Sequence, residues 1–283
     1  CKFCVVPYTR GAEFSRSIEE IFSEANQLVE NGAKEITLLG QNVNAYNFKS
    51  KKLSDLISEI SKIRDLKRIR YTTSHPRDFT EDLIDAHLNY EKLMPLIHLP
   101  VQSGSNKILN SMNRKHTVEE YLDLIKKIKR VKSNIEFSSD FIIGYPGETN
   151  NDFIASMKLM KEVKFVNSYS FIFSARPGTP AFKLKKINST DAKKRLIEFQ
   201  NLSEKIKINY KKNLIGKTAT VLFENKVKNG NSYFGRDEYF NPVVVESNID
   251  LSGKIKKVKI FNINQNTLFG RQTSGLKQTN YAA

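Results

Sequence analysis

Between residues 17 and 173 the apolar period of the sequence switches repeatedly from helix-like to strand-like and back. This alternation constrains the fold more than any other property of the chain. Strands separated by helical crossovers pair in parallel, and parallel sheets bind ligands beyond the carboxyl ends of their strands.

The first predicted helix covers residues 17–31, where Ile18, Ile21, Phe22, Ala25, Leu28 and Val29 recur at helical spacing. Ser17 and Glu20 form a capping box, and Gly32 supplies the stop. Strand 35–39 follows and ends in Gly40-Gln41-Asn42-Val43-Asn44. A helix over 53–64 precedes strand 68–73, which ends in Ser74-His75-Pro76; a helix from Glu81 precedes strand 95–101, which ends in Gln102-Ser103-Gly104-Ser105. The Thr117/Glu120 box opens a helix before strand 135–143, which ends in Gly144-Tyr145-Pro146-Gly147-Glu148. A helix over 150–162 precedes strand 168–173, ending in Ser174-Ala175-Arg176-Pro177. Polar and glycine-rich clusters therefore fall at one edge of the predicted sheet.

Residues 183–212 read as a lysine-rich helix, and beyond Lys217 five short strand-like segments follow, with Asn229-Gly230 as a hairpin turn. The expected architecture is α/β: a partial (βα)6 parallel barrel over residues 1–212, then a small five-stranded OB-like β-barrel over 213–283. Charge separates the two parts. Of a net +16, residues 1–182 carry only +4, residues 183–212 carry +7 and the remainder +5. That excess is either a solvated lysine-rich surface or the footprint of a polyanion, most simply a nucleic acid. No apolar run approaches the ~18–20 residues of a membrane span. Only two cysteines occur in 283 residues, which fits a reducing, cytoplasmic setting.

Both cysteines lie in the opening stretch Cys1-Lys2-Phe3-Cys4-Val5-Val6-Pro7-Tyr8-Thr9-Arg10-Gly11. Their spacing alone leaves thioredoxin-like, zinc and iron–sulfur readings open, and the four histidines are scattered without ligand spacing. Alternation puts Leu96, His98, Pro100 and Gln102 on one strand face. There His98 is either a packing residue or part of a site. Asp140 is a carboxylate inside an apolar strand, which requires partners: a backbone group, an arginine, or the hydroxyls of a ribose. Arg114 is either a surface charge or a bidentate clamp for a carboxylate. The Gly144/Gly147 pair permits close backbone approach to a ligand.

Taken together these stretches carry a resemblance. Cys-x-x-Cys with the following VVPYTRG is similar to the second half of the radical S-adenosylmethionine (SAM) signature Cys-x-x-x-Cys-x-x-Cys of methylthiotransferases. TLLGQNVNAY (37–46), TTSHPRD (72–78), HLPVQSGSN (98–106), DFIIGYPGE (140–148) and SARPGTPA (174–181) resemble successive strand-end motifs of that family. The branch most resembled is the one acting on (dimethylallyl)adenosine in tRNA. Residues from about Gly216 to Gly275 are similar to its TRAM domain, an RNA-binding module.

The resemblance implies that Cys1 and Cys4 are two of three thiolates of a [4Fe–4S] cluster whose open iron chelates SAM. It implies that Gly40, Gln41 and Asn42 engage the SAM amino group, Gln102 and Asp140 the ribose, and Arg114 the carboxylate. Reductive cleavage of SAM to a 5′-deoxyadenosyl radical would then activate C2 of an isopentenylated adenine beside the anticodon for methylthiolation, with no catalytic acid–base pair beyond the cluster. The expected partners are the tRNA anticodon stem-loop and a reductant such as flavodoxin or ferredoxin, with the enzyme a monomer. The pattern departs from the family in lacking the first cysteine and the N-terminal domain that holds a second [4Fe–4S] cluster, so this segment alone is expected to be inactive. The competing expectations are a branch acting on threonylcarbamoyl-adenosine or on a ribosomal protein, and a non-catalytic RNA-binding protein.

Overall fold

The computed structural model describes residues 1–228 and 230–273. Asn229 of the predicted hairpin turn and residues 274–283 of the second predicted domain lie outside the described residues. The chain divides into two compact units, Cys1–Lys207 and the part from Ile208 onward.

In the first unit the local signals act as expected. After the short helix α1 (Val6–Arg10), helix α2 (Ile18–Glu30) opens on a capping box in which Ser17 Oγ accepts from Glu20 N at 3.2 Å and Glu20 returns to Ser17 N at 3.3 Å. Its buried side, Ile18, Ala25 and Val29, faces the sheet core. Strand β1 (Glu35–Leu38) follows, then the hairpin β2 (Asn47–Phe48) and β3 (Lys51–Lys52), helix α3 (Leu53–Ser61), strand β4 (Arg68–Tyr71) and helix α4 (Glu81–Asn89). Next come β5 (Leu96–His98), α5 (Asn106–Met112), α6 (Val118–Val131), β6 (Glu136–Ile143), α7 (Asn150–Val163), β7 (Asn167–Ile172) and α8 (Ser189–Lys212). Helix α7 has a capping box of its own, Thr149 with Asp152, the same chemistry as the two boxes read in the sequence.

β1 pairs in parallel with β4, and β5, β6 and β7 form a second parallel ladder. The two sheets meet where Ile69 N donates to Lys92 O at 2.7 Å and Met94 N donates to Ile69 O at 3.0 Å. Each parallel strand thus lies beside its predecessor in the chain, the order of a wound (βα) barrel. Apolar outer faces, including Ile69, Ile97, Phe137 and Phe141, pack under the helices; Phe141 meets Phe199 of α8 with ring centroids 4.7 Å apart. Each such buried side chain contributes about 1.5–3 kcal/mol. Within this unit Gly104 permits the tightest approach, because a Cβ there would sit 2.5 Å from Ala155 O on α7.

The second unit is a closed barrel of β8 (Thr218–Lys226), β9 (Ser232–Arg236), β10 (Pro242–Glu246), β11 (Ile255–Ile263) and β12 (Leu268–Gln272), ordered β10-β12-β11-β8-β9. Alternation fills its interior with Val221, Phe223, Val243, Val245, Val258, Ile260 and Leu268. So small a circumference leaves no room for side chains at Gly235 and Gly270, where a Cβ would collide with the neighbouring strand. The five predicted strands and their closure are as expected.

Candidate functional site

The cysteine loop rests on the carboxyl edge of the parallel strands. Lys2 N donates to Met112 O at 2.9 Å and Lys2 O accepts from Ala181 N at 3.0 Å, so one residue is clipped between two distant segments. Phe3 turns into an apolar cluster with Ile108, Met112, Tyr145 and Ala181, meeting Tyr145 edge-on at 6.4 Å. Cys1 is exposed, Cys4 partly so, and both thiols are free. The first helix predicted from sequence begins only at residue 17. The stretch after Cys4 nevertheless forms α1, which has Pro7 in its first turn, where a missing N–H costs nothing.

Arg114 is the first departure from a surface charge. It follows the left-handed cap of α5 at Asn113 and is only 5% exposed. Its Nη2 donates to Pro100 O at 2.5 Å and its Nη1 to Cys1 Sγ at 3.4 Å, while Nε is buried without a partner. Burial lowers its pKa to about 10, so it stays charged at neutral pH.

Two histidines flank this guanidinium, and neither was assigned to a site from the sequence. His116 Nδ1 lies 3.1 Å from Arg114 O, and its ring meets that of His75 edge-on at 5.7 Å. Burial first, then the charge of Arg114, pushes His75 down to about 3 and His116 to about 4. Both are neutral at physiological pH, so they add no charge beside the cysteines. The Ser74-His75-Pro76 strand end was the available signal, but pairing it with His116 requires the fold.

Gly40, Gln41 and Asn42 end β1 beside this cluster. Asn42 Nδ2 donates to Asp78 Oδ2 at 2.6 Å, and its Oδ1 is buried without a partner. Thr73, with φ of 63°, donates through its hydroxyl to Gly40 O and accepts Val43 N at 3.2 Å through its carbonyl. A cavity of about 540 Å³ is lined by Gly40, Gln41 and Asn42 together with Ile36, Leu38 and the segment Arg10–Arg16. None of Cys1, Cys4, Gln102, Arg114 or Asp140 lines it. The cavity shares Asn42 with the strand-end cluster, but both thiols and the buried guanidinium of Arg114 lie at that cluster, which we take as the site.

Gln102 and Asp140 meet through the backbone, Gln102 N donating to Asp140 O at 2.9 Å. The period-two reading of Leu96–Gln102 fails here. His98 partners Ser138, but Gln102 partners Phe141, so β5 carries one extra residue and Gln102 takes φ of 77°. Asp140 is partly exposed rather than buried, and His98 Nε2 stands 3.5 Å from its Oδ2 while His98 Nδ1 lies 2.9 Å from Ser138 Oγ. The glycines have another use than ligand approach. A Cβ at Gly144 would press within 2.9 Å of Ala192, and its N–H donates to Glu148, which Arg195 pairs at 2.8 Å.

The donor chemistry fits an iron–sulfur cluster in part: two thiols on one loop, beside a buried cation that favours thiolates. Among the described residues no group of three or more Cys, His, Asp or Glu gathers to complete a metal set. The orphaned atoms fit an amino acid zwitterion: Asn42 Oδ1 is an acceptor for an ammonium and Arg114 Nε a donor for a carboxylate.

Residues 1–160 match the model of the radical SAM superfamily, and residues 212–272 match that of the TRAM domain. A tRNA-2-methylthio-N(6)-dimethylallyladenosine synthase of Pelagibacter ubique is 53% identical over 282 residues, 98% of this chain and 63% of that protein. A protein of the same name from Wolbachia pipientis subsp. Culex pipiens is 53% identical over 277 residues, 95% of this chain and 63% of its own. The chain therefore spans under two thirds of the length of these relatives. Among solved structures, coproporphyrinogen III oxidase from Escherichia coli superposes with a TM-score of 0.51 at 12% identity, covering 84% of this chain and 64% of that one. Methylornithine synthase superposes at 0.50 and 14% identity, covering 73% and 58%. These likenesses show the fold alone.

Proposed function

Because the chain belongs to the radical SAM superfamily, we propose that it is the SAM-cleaving and RNA-binding part of a tRNA methylthiotransferase acting on isopentenylated adenosine beside the anticodon. The observation that carries this is the buried Arg114, whose guanidinium reaches Cys1 Sγ while its Nε has no partner, in a chain 53% identical over 98% of its length to a relative of that name.

Cys1 and Cys4 would hold the cluster, with a third thiolate and the second [4Fe–4S] cluster coming from outside these 283 residues. When bound, the cluster supplies the electron that cleaves SAM, delivered by a donor such as flavodoxin or ferredoxin. The chain's own residues position the substrate of that cleavage. Arg114 Nε donates to the SAM carboxylate, and Asn42 Oδ1 accepts from its amino group beside Gly40 and Gln41. Asp140, displayed beside Gln102 at the end of the barrel strands, accepts the ribose hydroxyls. Neutral His75 and His116 wall the site without competing for the carboxylate. Among the described residues no helix is long and apolar enough to cross a membrane. The enzyme of this reading is a monomer that works on tRNA in the cytoplasm. Domain limits of 1–212 and 213–283 fit this division of labour between SAM chemistry and RNA.

Mass spectrometry of tRNA from a strain deleted for the gene tests the reading. The 2-methylthio mark on isopentenyladenosine should vanish while that on threonylcarbamoyl-adenosine and the ribosomal proteins stays unchanged; persistence of the first mark would overturn it. In anaerobic reconstitution, residues 1–283 alone should give no sustained SAM cleavage, and robust turnover would refute the incomplete ligand set.

A further inference from the structure

We infer that Tyr169 and Phe171 on β7 form the platform on which the target adenine stacks, and that they select the base carrying an apolar N6 substituent. This rests on the tRNA reading above and names the residues that would execute it.

The observation is an inverted strand. On a sheet covered by helices, the face under the helix is ordinarily the apolar one. In β7 the face toward α8 carries serines: Ser168 Oγ lies 2.6 Å from Ser203 Oγ. The aromatic residues alternate to the other face, where Tyr169 is 50% and Phe171 59% exposed. Two large aromatic side chains left open on the inner face of a barrel have no use in its core.

Their neighbours define what fits. Tyr169 is opposite Asp140 in the β6–β7 register, and Phe171 is opposite Ile142. Ile142 packs in the same apolar cluster as Phe3, which stands between Cys1 and Cys4. The aromatic face is therefore continuous with the cysteine loop and with the carboxylate proposed to hold the SAM ribose. Tyr169 is fixed at both edges, its hydroxyl accepting from Asn167 Nδ2 at 2.9 Å and its ring meeting that of His98 at 6.2 Å and 71°. A ring held this way loses little freedom on stacking. Base–aromatic stacking tolerates any base, so discrimination falls to the apolar flank, Phe171 with Ile142, which offers contact to an alkyl substituent and no hydrogen bond.

The test uses the full-length gene product, anaerobically reconstituted, and two synthetic anticodon stem-loops that differ only in the N6-isopentenyl group. Wild type should bind the prenylated stem-loop more tightly and methylthiolate it. Tyr169→Ala should weaken binding of both stem-loops roughly five- to hundredfold, the range of one lost base stack, and Tyr169→Phe should restore it. Phe171→Ala should erase most of the preference between the two. SAM affinity and the thermal midpoint should hold in all three variants. Unchanged discrimination in Phe171→Ala, or a thermal midpoint lowered by both alanine variants with tRNA binding intact, would show the rings to be packing against another part of the protein and overturn the inference. If wild type methylthiolates neither stem-loop, the functional reading itself fails instead.

Discussion

The two units of this chain present polar chemistry in opposite ways. The parallel unit gathers it at one buried edge and leaves it incomplete: Asn42 Oδ1, Arg114 Nε and His116 Nε2 have no partners there. The closed barrel has no such edge, and displays its chemistry outward. Arg236 lies over Phe240 at 4.2 Å and Phe234 at 5.3 Å, and Arg271 lies over Phe261 at 4.8 Å. Phe240 and Phe261 remain 44% and 50% exposed. Unsatisfied buried groups suit a small zwitterion that must be oriented to an atom. Exposed arginine–aromatic pairs suit a nucleic acid, whose bases stack and whose phosphates attract charge.

The contrast can be broken most directly at Arg114. Arg114→Gln keeps two donors but removes the charge and the Nε–H, and we predict a loss of roughly ten- to hundredfold in SAM affinity with tRNA affinity unchanged, from the ~1.5–3 kcal/mol of a charged hydrogen bond. Equilibrium dialysis with SAM reads this, and an equal loss for tRNA would erase the distinction between the units. Phe240→Ala should do the converse: tRNA binding weakens about fivefold, SAM binding stays constant, and filter binding decides.

The two units should also diverge in pH response. Burial pushes His87 down to about 3, and His75 and His116 are lowered likewise. Below the unfolded value of 6.5, the unfolded chain takes protons that the folded parallel unit refuses. That unit loses stability as pH falls from 6.5 toward 4, by up to about 1.4 kcal/mol per pH unit for each fully buried histidine. In the barrel, burial raises Asp237 from 3.8 to about 6 despite bonds from Asn241 and Tyr239. Its folded form keeps a proton that the unfolded chain has released, so the barrel loses stability as pH rises from 4 to 6. Hydrogen exchange at pH 4.5 and 6.5 should show protection moving in opposite directions in the two units. Parallel movement would refute the assignment of these groups.

What could be read beforehand divides along the same line. Period and capping are local, so Ser17 with Glu20 and Thr117 with Glu120 placed their helices from sequence, and Thr149 with Asp152 offered the same signal unread. The five barrel strands followed from alternation. The site was legible only as residues at strand ends. Burial of Arg114 depends on Pro100 and Cys1, far apart in the chain, and the His98–Asp140 approach depends on β5–β6 register. The extra residue before Gln102 defeated strict alternation because a bulge changes the count on one strand without changing residue type. The exposure of Tyr169 and Phe171 left no signal, since sequence shows alternation but not which face a helix covers.

One feature of the cysteine loop reaches into biosynthesis. Its clip needs Met112 on one side and Ala181 on the other. At roughly 5–20 residues per second, the thiols leave the ribosome some 10–35 s before the segment that secures them. Through that interval Cys1 and Cys4 are carried on an unanchored segment, open to oxidation and to stray metals. If Cys1 and Cys4 hold the proposed cluster, its loading belongs after synthesis has passed residue 181, and the yield of loaded protein should depend on how well the cell guards a nascent chain from oxygen.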